Sequence, residues 1–234
     1  PSDVNHLVQA DIVMWVGPGL ETYLANMFAQ ESQRHRLLEA AALPGMLLLD
    51  LTDHAHEHSA GEHYDPHLWL STANARVLAK ALHAKLVVLD SVHAAQYGAN
   101  LQQFEASLDE LDGVLQRQFA TLHSAPFAVF HNGTQYFEDQ VGIEHQFVLV
   151  PDHEIQPGIR HLLALRAQLA DQPLNCLFED INSNVATINT VFQDNPVRRV
   201  MLDPLGDAVA LSKEGYLQLI STMANAIQQC LSPQ

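Results

Sequence analysis

The chain has 234 residues, is 47% apolar, and carries 27 carboxylates against 11 lysines plus arginines, a formal charge of −16 at pH 7. That is enough for one large domain or two modest lobes, and no apolar run reaches the roughly eighteen residues that a membrane-spanning helix needs. No clustered basic footprint is present, which argues against a nucleic-acid partner, whereas an acidic surface concentrates cations.

The opening Pro1-Ser2-Asp3-Val4 has neither the charged region nor the apolar core of a signal peptide, so the chain is expected to start after processing or part-way into a longer protein. Asp11-Ile12-Val13-Met14-Trp15-Val16, closed by Gly17-Pro18-Gly19, predicts a buried strand ending in a turn. Residues 20–30 are helical in pattern, and 46–51 read as a second strand. That strand feeds a segment, 53–65, in which His54, His56, His58 and His63 alternate with carboxylates and turn-forming residues. Imidazole suits zinc, nickel, copper and iron, so this solvated loop is expected to capture a cation weakly and pass it inward.

His67 differs from the loop histidines. Asp65-Pro66 precedes it and Leu68-Trp69-Leu70 follows, so proline and an apolar anchor hold the imidazole in place. It is the first candidate metal ligand. Ser71 is placed to cap a helix over 72–89. Leu101, Phe104, Leu108, Leu111, Leu115, Phe119 and Leu122 then recur at spacings of three and four, one stripe of a helix over 96–122. At 1.5 Å per residue it extends roughly 40 Å and could join two lobes as a stiff rod. A dimerising coiled coil is the rival reading; a single helix of this length rarely dimerises alone, so a monomer is expected.

The second half alternates strands at 127–130, 147–150, 176–178 and 199–202 with helices at 134–141, 158–170, 183–193 and 214–231. Four β–α units imply a mostly parallel sheet covered on both faces, with ligands gathering beyond the carboxyl ends of its strands. His131 and Asp203 each follow a strand directly and are the second and third candidate metal ligands. Cys176 and Cys230 are either two buried thiols or one disulfide. His63 and His67 are four apart, but Tyr64 stands where a zinc hydrolase of the His-Glu-x-x-His type needs its glutamate, and Pro66 opposes a helix. Neither a Gly-x-Ser-x-Gly elbow nor a P-loop occurs, so an enzyme is not expected.

The order and spacing of several segments resemble one family. They are Pro1-Ser2-Asp3-Val4, Ala10 to Pro18, the His-rich loop, His67-Leu68-Trp69-Leu70-Ser71, Phe130-His131 with Tyr136-Phe137-Glu138, Glu154-Ile155-Gln156-Pro157-Gly158, and Leu202-Asp203-Pro204-Leu205-Gly206. Over nearly the whole chain they are similar to the periplasmic zinc-binding receptors of bacterial zinc ABC importers. The resemblance implies an α/β fold of two lobes with mostly parallel sheets, joined by a long rigid helix, with Zn²⁺ in the cleft between them. The lobes would be 1–95, incomplete at its start, and 123–234, with the helix at 96–122. His67 and His131 match family zinc ligands, and a third family histidine lies upstream of Pro1. Asp203 matches an aspartate that completes the site in manganese- or iron-binding relatives; it ranks below the histidines, and the His-rich set favours Zn²⁺ over Mn²⁺. Asn132-Gly133 departs from the family's more frequent Asp-Ala. Cys176 and Cys230 occupy the positions of a disulfide found in some zinc-binding members. The resemblance further implies a periplasmic location and a permease partner in the inner membrane. Two rival functions are a zinc-dependent hydrolase and a surface adhesin on the same scaffold.

Overall fold

The computed structural model describes residues 2–28, 35–50, 64–122, 125–150 and 157–232. The loop histidines His54, His56, His58 and His63, and Glu154-Ile155-Gln156, lie outside them. The chain divides into two compact units, Pro1–Leu108 and Asp109–Gln234.

The first unit runs α1 (Ser2–Gln9), β1 (Val13–Trp15), α2 (Thr22–Phe28), β2 (Leu37–Glu39), α3 (Thr72–Leu89) and the start of α4 (Ala94–Phe119). β1 and β2 pair in parallel, Val13 opposite Leu37 and Trp15 opposite Glu39. Val13, Trp15 and Phe28 form the local core, with Leu7, Leu24 and Leu37 packed against it. Over 46–50, the described part of the strand expected at 46–51, no strand forms. The Leu47 N–H donates to Asn74 Oδ1 at 2.8 Å and its carbonyl accepts from Asn74 Nδ2 at 2.9 Å. A side chain thus meets the backbone groups that a ladder would have used, and β2 takes the place beside β1. Asp50 makes an isolated antiparallel bridge with Tyr64.

α4 is 26 residues long, about 39 Å at 1.5 Å per residue, and the division into units falls inside it. Leu108, Leu111, Leu115 and Phe119 are buried along its apolar stripe. Among the described residues no helix is long and apolar enough to cross a membrane.

The second unit continues with β3 (Phe127–Val129), α5 (Gln135–Val141), β4 (Phe147–Val148), α6 (Ile159–Leu169), β5 (Cys176–Glu179), α7 (Val185–Phe192), β6 (Arg198–Met201) and α8 (Gly215–Leu231). The strands form one parallel sheet in the order β4-β3-β5-β6. Every residue of β3 and β5 is buried, as strands covered on both faces must be. Ala128 and Leu177 pack against Leu162, Leu165, Leu169, Ile188 and Val191 from the helices. Cys176 of β5 and Cys230 of α8 form a disulfide, Cα to Cα 6.1 Å, as the family resemblance implied. This topology brings the ends of β3, β5 and β6 side by side, and with them His131, Asp180 and Asp203.

Candidate metal centre

His67 sits where the chain leaves the Tyr64–Asp65 segment and enters a 3-10 turn, Leu68–Leu70, whose Leu68 and Leu70 are buried. Ser71 then caps α3, its side chain accepting the Asn74 N–H, as its position in the sequence suggested. The buried Asn74 also donates to the Leu68 carbonyl at 3.1 Å, so one amide ties this turn to the Leu47 segment. Upstream, the Tyr64 ring lies on the Gly17-Pro18-Gly19 turn. A Cβ on Gly17 would stand 2.8 Å from the Tyr64 hydroxyl, and φ there is +143°, a conformation reserved for glycine. The imidazole itself is held by Asp65. Asp65 Oδ1 accepts the His67 backbone N–H at 2.9 Å and faces ring Nδ1 at 2.6 Å. The Asp65 side chain is fully buried, whereas that of His67 keeps 16% of its surface exposed.

His131 follows β3 and Phe130. Its carbonyl accepts the Gly133 N–H at 2.9 Å, a turn of three residues that buries Asn132. The ring folds back over Gly133, so that a Cβ at that position would lie 2.5 Å from Cε1. The departure from Asp-Ala noted in the sequence therefore has a steric consequence: the imidazole fills space that an alanine would occupy. Ring Nδ1 lies 3.2 Å from Oδ2 of Asp180, which follows β5, and Asp180 Oδ1 accepts the Asn182 N–H at 2.8 Å. A cavity of about 20 Å³, room for about one water, is bounded by His131, Gly133, Asp180 and Pro204.

Asp203 follows β6 and Leu202. Its Oδ1 accepts the N–H groups of Gly206 and Asp207 at 2.8 and 3.0 Å, and its Oδ2 that of Ala208 at 2.9 Å. Burial works against its ionisation, but the backbone N–H groups of residues 205–208 outweigh it and hold its pKa below the ordinary 3.8. The carboxylate is thus charged and committed to its own turn.

The same His–carboxylate pairing occurs elsewhere. His145 Nδ1 lies 2.7 Å from Glu138 Oε2, but that oxygen also accepts the His145 backbone N–H, and Thr134 donates to Oε1, so the pair closes the turn after α5. His93 pairs with Asp90 on the exposed surface, where Tyr97 shares the same oxygen. Among the described residues no three His, Cys, Asp or Glu side chains gather into one cluster. Among those residues each unit thus holds two imidazoles with a carboxylate at Nδ1, and His67 and His131 are the ones that the sequence singles out. In a neutral ring with Nδ1 protonated, the lone pair is on Nε2, the donor that zinc takes.

The family described as periplasmic zinc-uptake complex component A matches residues 1–230. The chain belongs to the ZnuA family. It is 30% identical over 250 residues to the high-affinity zinc uptake system protein ZnuA of Yersinia pestis, an alignment that spans 99% of this chain and 79% of that one. Two solved structures share its fold. The periplasmic zinc-binding protein TroA of Treponema pallidum matches with a TM-score of 0.79 at 19% identity, over 99% of this chain and 84% of that one. A mutant laminin-binding adhesin, Lmb, of Streptococcus agalactiae matches with a TM-score of 0.78 at 20% identity, over 99% and 84%. ZnuA-family proteins are solute-binding receptors rather than enzymes, and they serve ABC importers.

Asp65 and Asp180 were not singled out in the sequence. Asp65 had a local signal, two residues before a proline-anchored histidine. Asp180, 49 residues after His131, becomes a neighbour only once β3 and β5 pair.

Proposed function

We propose that this protein is a periplasmic receptor that captures Zn²⁺ and delivers it to the permease of an ABC importer, with His67 and His131 as zinc ligands. The observation that carries this reading is the state of those two imidazoles in a ZnuA-family chain. His67 opens a buried 3-10 turn and His131 follows a buried strand, and each has its Nδ1 against an aspartate, which sets Nε2 as the donor. Zinc prefers four ligands in a tetrahedron, so a further histidine, a carboxylate or water completes the set. Asp203 ranks third, because a metal would compete with three backbone N–H groups for its oxygens. Neutral nitrogen donors and the order of divalent affinities favour Zn²⁺ over Mn²⁺.

No chemical step is needed. The ion exchanges water for imidazole on binding, and docking on the permease loosens that grip. Since the ligands must be deprotonated, binding releases protons and weakens in acid. His54, His56, His58 and His63 act as a weaker capture loop, and the acidic surface supplies cations to it. The receptor works as a monomer and meets no nucleic acid.

Titration of the full chain with Zn²⁺ against a competing chelator tests the assignment. His67→Ala and His131→Ala are each expected to weaken the tightest site at least about tenfold, as even the loss of a ligand's supporting partner commonly does. Unchanged affinity in both variants would remove both histidines from the site.

A further inference from the structure

We infer that Asp65 and Asp180 are positioning residues for zinc capture, fixing which nitrogen each imidazole presents, with a firmer hold at His67 than at His131. The inference rests on the reading of those histidines as ligands and extends it to residues that touch only the ligand. A neutral imidazole has one N–H and one lone pair, and only the lone pair binds a metal. In solution the proton moves between the two nitrogens, so an unsupported ring offers Nε2 only part of the time. A carboxylate at Nδ1 accepts the hydrogen, fixes the tautomer, restrains ring rotation and makes Nε2 a stronger donor.

The two aspartates reach this arrangement by unrelated routes. Asp65 is local, two residues before its histidine, and Pro66 between them restricts the backbone. Its Oδ1 engages both the backbone N–H and the ring of His67, at 2.9 and 2.6 Å, from a fully buried position. Asp180 is brought by the β3–β5 pairing, stands 3.2 Å from its ring, and is itself 12% exposed. Electrostatic hydrogen bonds weaken with distance and with solvent access. His67 is therefore the pre-set ligand, and His131 the one with room to adjust, bordered by the small cavity beside Gly133.

The test compares Asp65→Asn, Asp180→Asn and, as a control, Asp90→Asn, which breaks a His–Asp pair on the surface. Zinc affinity of the full chain is measured by chelator competition, and the ring tautomers of the zinc-free protein by long-range ¹H–¹⁵N NMR. Asp180→Asn is expected to weaken binding about tenfold and Asp65→Asn towards a hundredfold, with Asp90→Asn unchanged. In both weakened variants the affected ring should lose its Nδ1–H signature. If buried Asp65→Asn fails to fold, as a thermal melt would reveal, Asp180→Asn carries the test. The inference is overturned if Asp180→Asn binds zinc within about twofold of wild type while His131→Ala loses it, well short of the usual cost of losing such a partner. It is overturned equally if affinity falls but the tautomer stays. Wild-type affinity in His67→Ala and His131→Ala would instead discard the ligand assignment beneath it.

Discussion

Asp203 illustrates how far one carboxylate can be committed. Three backbone N–H groups converge on it within 3.0 Å, and the fold holds it ionised despite partial burial. Because its folded pKa lies below the unfolded value, its contribution to stability is complete above the unfolded pKa near 3.8 and is lost as acid takes the pH down through the folded one. Asp203→Asn keeps one acceptor oxygen but turns an N–H₂ towards the remaining N–H donors. It should cost about 1.5–3 kcal/mol at neutral pH, the usual range for a hydrogen bond to a charged group. Denaturant melts at pH 7 and at pH 3 would check this: the difference between the two proteins should shrink in acid. Zinc affinity should change far less than in either histidine variant, and a loss equal to theirs would promote Asp203 to a ligand.

At the scale of elements, the segment that presents His67 depends on Asn74 more than on any strand. Its side chain closes hydrogen bonds with the N–H and C=O of Leu47 and with the Leu68 carbonyl, all from a buried position. Asn74→Ala leaves those groups without that partner and should destabilise the protein by about 2 kcal/mol or more, since each such buried group costs about 1–3. It should also weaken zinc binding, because the turn after His67 loses its tie; chemical denaturation together with a zinc titration separates the two effects. The same residue explains an error of sequence reading. Met46-Leu47-Leu48-Leu49 has the apolar run of a strand, yet a distant amide meets its backbone. β2 was hidden for the opposite reason: Leu37–Glu39 is three residues long with one buried side chain, too short for a period to show. Where long regular patterns met long elements, the reading held. α3 starts at its Ser71 cap, the β–α alternation of the second half gives the parallel sheet, and the stripe from Leu108 to Phe119 is buried. His67 and His131 stand out in the sequence because each is flanked by a residue pattern that fixes it. Of their aspartate partners, Asp65 is a neighbour in the sequence, whereas Asp180 is brought in only by the pairing of β3 and β5.

For the whole molecule, each of the two units of this ZnuA-family chain holds a histidine whose Nδ1 faces an aspartate, and the second stands beyond a parallel sheet that a disulfide ties to the last helix. Closing 54 residues with a disulfide contributes about 4 kcal/mol on chain-entropy grounds, and the bond ties α8 to β5, the strand that Asp180 follows. The acidic surface then needs no site of its own; it raises the cation concentration from which the imidazoles draw. X-ray absorption at the zinc edge, on the full chain loaded with one equivalent of metal, tests this account most directly. It predicts nitrogen and oxygen neighbours at about 2.0 Å with scattering from at least two imidazoles, one fewer in His67→Ala and one fewer in His131→Ala. A spectrum identical in wild type and both variants would contradict it.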